Sequence, residues 1–133
     1  MPLRLIPSIH RATHRIGLHL TKLADPRVTQ AEAHILAHLA GYGDSTIAEL
    51  HRAFAHKRST LTSILDRLEA RRLVTRRTSE QDRRTFVIRL TPEGKRAAKR
   101  VYDYMEAVER RLLKRLTPSQ LASFTAVLEA VAL

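Results

Sequence analysis

Between residues 57 and 63 the chain reads Lys57-Arg58-Ser59-Thr60, followed by Thr62 and Ser63, a set of side chains suited to a nucleic acid. Short hydroxyl groups let a helix backbone approach base edges and phosphates, and a guanidinium such as that of Arg58 can pair in bidentate fashion with guanine O6 and N7. The same residues also make an ordinary solvated helix start, so the segment alone leaves both readings open. Further on, Arg76, Arg77, Arg83 and Arg84 crowd one short stretch. Like charges so close repel unless an anion is at hand, and arginines on a thin hairpin fit the narrow, negative minor groove of DNA. Asp82 stands among them, where a carboxylate can brace one arginine in a fixed rotamer. The plainer alternative is a basic hairpin with an incidental ion pair.

Other chemistries find less support. His10/His14 and His34/His38 are each four residues apart, a spacing that puts two imidazoles on one helix face as metal ligands require. Packing or surface roles are the expectation for these four residues, with metal sensing as the alternative. Cysteine is absent, which excludes disulfides, thiolate zinc sites, iron–sulfur centres and thiol nucleophiles. No glycine-rich phosphate loop or nucleophile elbow occurs, and the acidic residues are scattered among basic ones. A protein without catalytic activity and without a cofactor is expected.

The elements that must position these residues follow from hydrophobic spacing. Ile9, Ala12, Ile16, Leu20 and Leu23 step by three or four, and Asp25-Pro26 should end that helix. A second helix is predicted from about Thr29, through Ala31, Ile35 and Leu39, to Gly41-Tyr42-Gly43. Thr46 and Glu49 have capping-box spacing for a short third helix with Ile47, Leu50 and Phe54 on its apolar face. After a tight connection at residues 55–57, a fourth carries Leu61, Ile64, Leu65 and Leu68 and ends in Arg71-Arg72.

The period then changes to two. Phe86, Ile88 and Leu90 alternate with Val87 and Arg89 as a half-buried strand, and Leu73 to Arg77 is its antiparallel partner. Thr91-Pro92 restarts helix, for about 24 residues or roughly 36 Å, along Ala97, Val101, Tyr104, Val108, Leu112 and Leu116. Thr117-Pro118-Ser119-Gln120 opens a last helix lined by Leu121, Phe124, Leu128 and Val131. The expected order is ααααββαα: mainly α with a small β-hairpin, an α+β winged helix-turn-helix in which the second helix of the pair enters the major groove. Apolar stripes at both ends of the chain suit a helical homodimer interface, so residues 1–25 and 92–133 are assigned to dimerisation and 28–91 to DNA binding, within a single domain.

Charge distribution supports this division. The chain has 133 residues, with 24 Lys+Arg against 13 Asp+Glu and a formal net charge of +11. Residues 57–89 alone hold 10 basic and 4 acidic groups, a net +6. Such concentration neutralises phosphates, whereas solubility alone would intersperse the signs. No apolar run approaches a membrane span of ~18 residues, which points to a cytoplasmic protein without a membrane partner.

The stretch Ser59-Thr60-Leu61-Thr62-Ser63-Ile64-Leu65-Asp66-Arg67-Leu68-Glu69-Ala70-Arg71-Arg72-Leu73-Val74, then Asp82-Arg83-Arg84 and Leu90-Thr91-Pro92-Glu93-Gly94, resembles the MarR family of bacterial winged-helix regulators. Val28-Thr29-Gln30-Ala31-Glu32-Ala33 resembles that family's second-helix opening. The resemblance implies a dimeric repressor, less often an activator, reading a pseudo-palindrome in double-stranded DNA and released by a small-molecule effector held between the dimerisation and DNA-binding parts, with helices one, two and five as walls. It implies recognition-helix roles for Ser59, Thr60, Thr62 and Ser63, wing roles for Arg83 and Arg84, and a bracing role for Asp82; Lys57, Arg58 and Arg77 complete the expected DNA-binding set. Three departures stand out. Ser63 occupies a common arginine position, Glu80 replaces a wing-tip proline, and Arg72 stands where glycine usually closes the helix, which predicts φ > 0 there. A metal-responsive regulator using the histidine pairs and a sequence-neutral chromosome-compacting protein are the alternative functions.

Overall fold

A computed structural model of the chain describes residues 1–23 and 28–132, with the side chains of residues 21–23 left aside. Among the described residues, six helices and three strands follow one another: α1 (Ile6–Leu23), α2 (Gln30–Tyr42), β1 (Ser45–Thr46), α3 (Ile47–Phe54), α4 (Arg58–Ala70), β2 (Val74–Thr78), β3 (Phe86–Leu90), α5 (Pro92–Arg115) and α6 (Pro118–Val131). This is the α+β fold expected, with one correction. Ser45–Thr46 adds a third, two-residue strand, and the antiparallel sheet runs β1-β3-β2. The expected stop of α1 at Asp25-Pro26 lies outside the described residues.

Local chemistry accounts for the boundaries. Thr29, Thr46 and Thr117 each cap a helix, accepting from the backbone N–H three residues on, while Glu32, Glu49 and Gln120 reach back to the cap N–H. Gly43, at φ 82°, closes α2. Arg72 has φ 59°, as the missing glycine predicts, and the N–H groups of Arg72 and Leu73 close α4 by bonding to the carbonyls of Glu69 and Leu68. Ala55, at φ 52°, makes the α3–α4 turn in the same region.

Two compact units are distinguishable, residues 1–102 and 103–133. In the first, Ile35 and Leu36 of α2, Leu50 of α3, Leu61, Ile64, Leu65 and Leu68 of α4 and Ile88 of β3 form a dry centre. The hairpin pairs Val74 with Leu90, Arg76 with Ile88 and Thr78 with Phe86, and Ser45 lies opposite Ile88 on the other edge of β3. The apolar alternation of β3 holds for Ile88 and Leu90 but not for Phe86, which is exposed at the wing end. The start of α5 is clamped to the end of α4: Thr91 N–H donates to the Leu73 carbonyl (3.1 Å), and Thr91 Oγ1 donates to the Arg72 carbonyl. Gly94 lies so close that a Cβ there would stand 1.8 Å from the Leu73 oxygen. In the second unit, Leu112, Leu121, Phe124, Leu128 and Val131 are exposed, so the stripe predicted for α6 is uncovered in the isolated chain. Among the described residues, no helix is long and apolar enough to cross a membrane.

Candidate nucleic-acid interface

The basic middle of the sequence folds into two neighbouring features, the first turns of α4 and the tip of the β2–β3 hairpin. Lys57 precedes α4 without capping it by its side chain, and Arg58, Ser59 and Thr60 form an exposed first turn. Thr62 Oγ1 donates to the Arg58 carbonyl at 3.0 Å, a bond that leaves its oxygen able to accept. Ser63 Oγ accepts from Arg67 Nη1 at 3.1 Å. All six hydroxyl and basic residues predicted here are solvent-exposed, because Leu61, Ile64, Leu65 and Leu68 take the inward face of the helix.

At the hairpin tip, Ser79 N–H donates to the Thr85 carbonyl (2.9 Å), and Thr85 N–H and Oγ1 both donate to the Asp82 carbonyl (3.0 and 2.9 Å). Asp82 Oδ1 accepts from Arg84 twice, from the backbone N–H at 3.0 Å and from Nε at 3.2 Å. These bonds, the backbone one first, hold the Asp82 carboxyl below the usual carboxylate range. Arg84 is 91% exposed even so, and Arg83 and Arg77 are exposed. Arg76 departs from the expected cluster. Its Nη2 donates to Asp66 of α4 at 2.9 Å, and its Nε is buried without a hydrogen-bond partner.

The two features border one groove of about 620 Å³, lined by Arg58 and Thr62 of α4, Arg84, Thr85 and Phe86 of the hairpin, and Ile47, Ala48, His51 and Arg52 of α3. Among the described residues no carboxylate lines it, although Asp82 pairs with Arg84 from outside the lining. His51 and Arg52 were not singled out from sequence, although their place in the last turn of α3 beside a basic helix start was a usable signal. Asp44, which pairs with Arg89 at 2.8 Å, was likewise missed.

Glu32, Arg67 and Arg71 form a buried ionic joint that sequence reasoning also missed. Glu32, fully buried on the first turn of α2, accepts from Arg67 Nε at 3.0 Å, from Arg71 Nη2 and from Thr29 N–H at 3.1 Å. Burial alone would raise its pKa, but the bonds from Arg71, Arg67 and Thr29 outweigh that and lower it.

The histidines do not converge. His10 and His14 stack at 6.3 Å on α1, whereas His38 packs against Tyr42 (4.6 Å) and Phe54 (5.3 Å). Burial, with the nearby charge of His56, lowers the pKa of His34. Among the described residues, no three His, Asp or Glu side chains are grouped to hold a metal ion.

A helix pair joined by a left-handed Ala55, followed by a basic hairpin with its third strand, defines a winged helix-turn-helix protein. Residues 28–85, a little under half of the chain, match the profile of the MarR family. The HTH-type transcriptional repressor MdtR of Bacillus subtilis (strain 168) is 32% identical over 94 residues, covering 71% of this chain and 61% of that protein. The chain thus spans less than two-thirds of the length of this curated relative. The fold matches the transcription regulator MarR of Oenococcus oeni PSU-1 (TM-score 0.86, 20% identity, 96% of this chain and 98% of that one). It also matches MepR of S. aureus, in a complex with DNA (TM-score 0.80, 20% identity, 98% and 96%).

Proposed function

We propose that the protein is a transcriptional regulator that binds double-stranded DNA sequence-specifically as a homodimer and is released by a small-molecule effector, most simply as a repressor. The observation that carries this reading is the carboxylate-free groove bordered by Arg52, Arg58 and Arg84. Three cations from three elements surround one space, with Thr62 inside it, which suits a phosphate backbone beside readable base edges. Lys57, Arg58, Ser59, Thr60, Thr62 and Ser63 are the recognition set, and Arg77, Arg83 and Arg84 reach the flanking minor groove. The exposed apolar residues of α6, with Phe124 at 54%, favour a second copy of the chain as their cover. The repressor names of relatives such as MdtR support the same reading.

Selection of bound fragments from the source genome, followed by titration of the selected site against random DNA at several salt concentrations, is the test. The expected result is a preference of roughly 10³ or more for the selected site. Affinity should fall steeply with salt, with a slope of roughly 6 to 10 released counterions. A flat salt dependence refutes the phosphate contacts; equal affinity for random DNA favours a chromosome-compacting role.

A further inference from the structure

Phe86 stands where an apolar side chain finds no cover. It shares its face of β3 with the buried Ile88 and Leu90, yet Phe86 is 42% exposed and stacks on no other ring among the described residues. The pairing of β1 with β3 sets Ser45 against Ile88 and Thr46 against Val87; continued by one residue, it brings Ile47, the first residue of α3, beside Phe86. Ile47, Ala48 and Phe86 all line the groove of about 620 Å³ that Arg52, Arg58 and Arg84 border. None of these three side chains has a hydrogen-bonding atom.

Cations and apolar surface thus share one space, which suits neither a bare anion nor an apolar ligand. An occupant that alternates negative charge with apolar surface satisfies both, as a strand of nucleic acid does. Duplex geometry points to the same strand. Arg58 and Thr62 belong to the helix assigned to the major groove and Arg84 to the hairpin assigned to the adjacent minor groove, and between two such grooves runs one sugar–phosphate backbone. Its phosphates meet the guanidinium groups. Its sugars are left to Phe86, Ile47 and Ala48.

DNA and RNA differ at this place. Deoxyribose has a methylene at C2′, which an apolar surface accepts, whereas ribose has a hydroxyl that donates and accepts hydrogen bonds. Pressed against these three side chains, that hydroxyl loses water without gaining a partner. The two hydroxyl groups that line the groove, those of Thr62 and Thr85, already donate to the Arg58 and Asp82 carbonyls, so neither has a proton for a ribose oxygen.

We propose that Phe86, with Ile47 and Ala48, forms a deoxyribose-binding surface that makes the groove selective for DNA over RNA at the backbone, whatever the base sequence. The inference rests on the DNA-binding reading above and adds to it a choice of sugar.

The experiment uses the full chain and the selected duplex. Single ribonucleotides replace deoxynucleotides one at a time along each strand, which keeps the duplex form, and affinity is read by fluorescence anisotropy. Ribose should weaken binding about tenfold at one or two neighbouring positions in each half of the site and little elsewhere. A 2′-fluoro sugar at the same positions has no O–H and should bind as deoxyribose does. Phe86→Ala should weaken selected and random duplexes alike, leave the salt slope unchanged because no cation is lost, and abolish the ribose penalty; Phe86→Leu should keep the penalty. Each ratio of ribose to deoxyribose affinity is taken within one protein, so a smaller folded fraction cancels from it. No penalized position in the wild type, an equal loss with 2′-fluoro, or a penalty that survives in Phe86→Ala overturns the proposal. A wild type that binds DNA with a steep salt dependence but ignores ribose everywhere refutes the sugar surface alone; one that binds no duplex refutes the regulator, and the sugar surface with it.

Discussion

Arg67 Nε of α4 donates to Glu32 Oε1 of α2 at 3.0 Å, so the helix bearing the proposed recognition residues is tied to its neighbour by a carboxylate that solvent does not reach. Glu32 also caps α2 through Thr29. One residue thus fixes both where α2 starts and how α4 lies on it. Glu32→Gln should cost about 1–3 kcal/mol, less than a wholly buried pair, because the Arg67 and Arg71 side chains are 50% and 32% exposed and can turn to water. Urea denaturation measures it. The pH dependence follows from the lowered Glu32 pKa. Its contribution is fully present above the pKa of the unfolded carboxyl and is lost as pH falls through the lower folded value. The Gln variant should therefore lose less stability than wild type on acidification; parallel curves would remove Glu32 as the titrating group.

Gly94 permits the α4–β2 junction to touch α5. A methyl group in place of its hydrogen meets the Leu73 carbonyl oxygen at 1.8 Å, and backbone cannot step aside as a flexible side chain can. Gly94→Ala should destabilise by about 3 kcal/mol or more. Arg72→Gly should do the reverse, by about 0.5–1 kcal/mol, since it relieves a left-handed non-glycine residue at φ 59°. Thermal melts of the two variants check both signs.

Asp82 is the acidic residue expected to help binding to a polyanion. Counting charges, Asp82→Asn should tighten DNA binding. Against this, Asp82 fixes Arg84 through two hydrogen bonds, at 3.0 and 3.2 Å, and without the carboxylate the arginine must be ordered on binding. Salt screens the repulsion at so exposed a site, so the ordering cost is the larger effect. Weaker operator binding with little change in folding stability is expected. Titration at two salt concentrations tests it, and tighter binding at both would falsify the bracing role.

Arg58 and Arg84 border the same groove from different elements and should differ in what they read. Arg84→Ala should weaken all DNA sequences alike and lower the salt slope by about one per chain. Arg58→Ala should cost about 1–3 kcal/mol mainly on the operator. A matrix of variants against operator and random sequences separates the two roles; equal losses for Arg58 on both would remove it from base readout.

Helices were legible in the sequence because their causes are local. Steps of three and four residues place Leu61, Ile64, Leu65 and Leu68 on one face of α4, and Thr46 with Glu49 satisfies the open N–H groups of α3. The left-handed Arg72 was legible only through the family resemblance, which puts a helix-closing glycine at that position. The strand Ser45–Thr46 was not, because two residues carry no period, and β3 supplies the partner from more than forty residues away. Nor could spacing show that Arg76 turns from the wing to Asp66, or that Arg67 and Arg71 converge on Glu32. Capping and amphipathic periodicity act within a turn or two of helix, so a sequence states them outright. Which charges share a buried joint or a groove depends on which faces meet, and packing alone settles that.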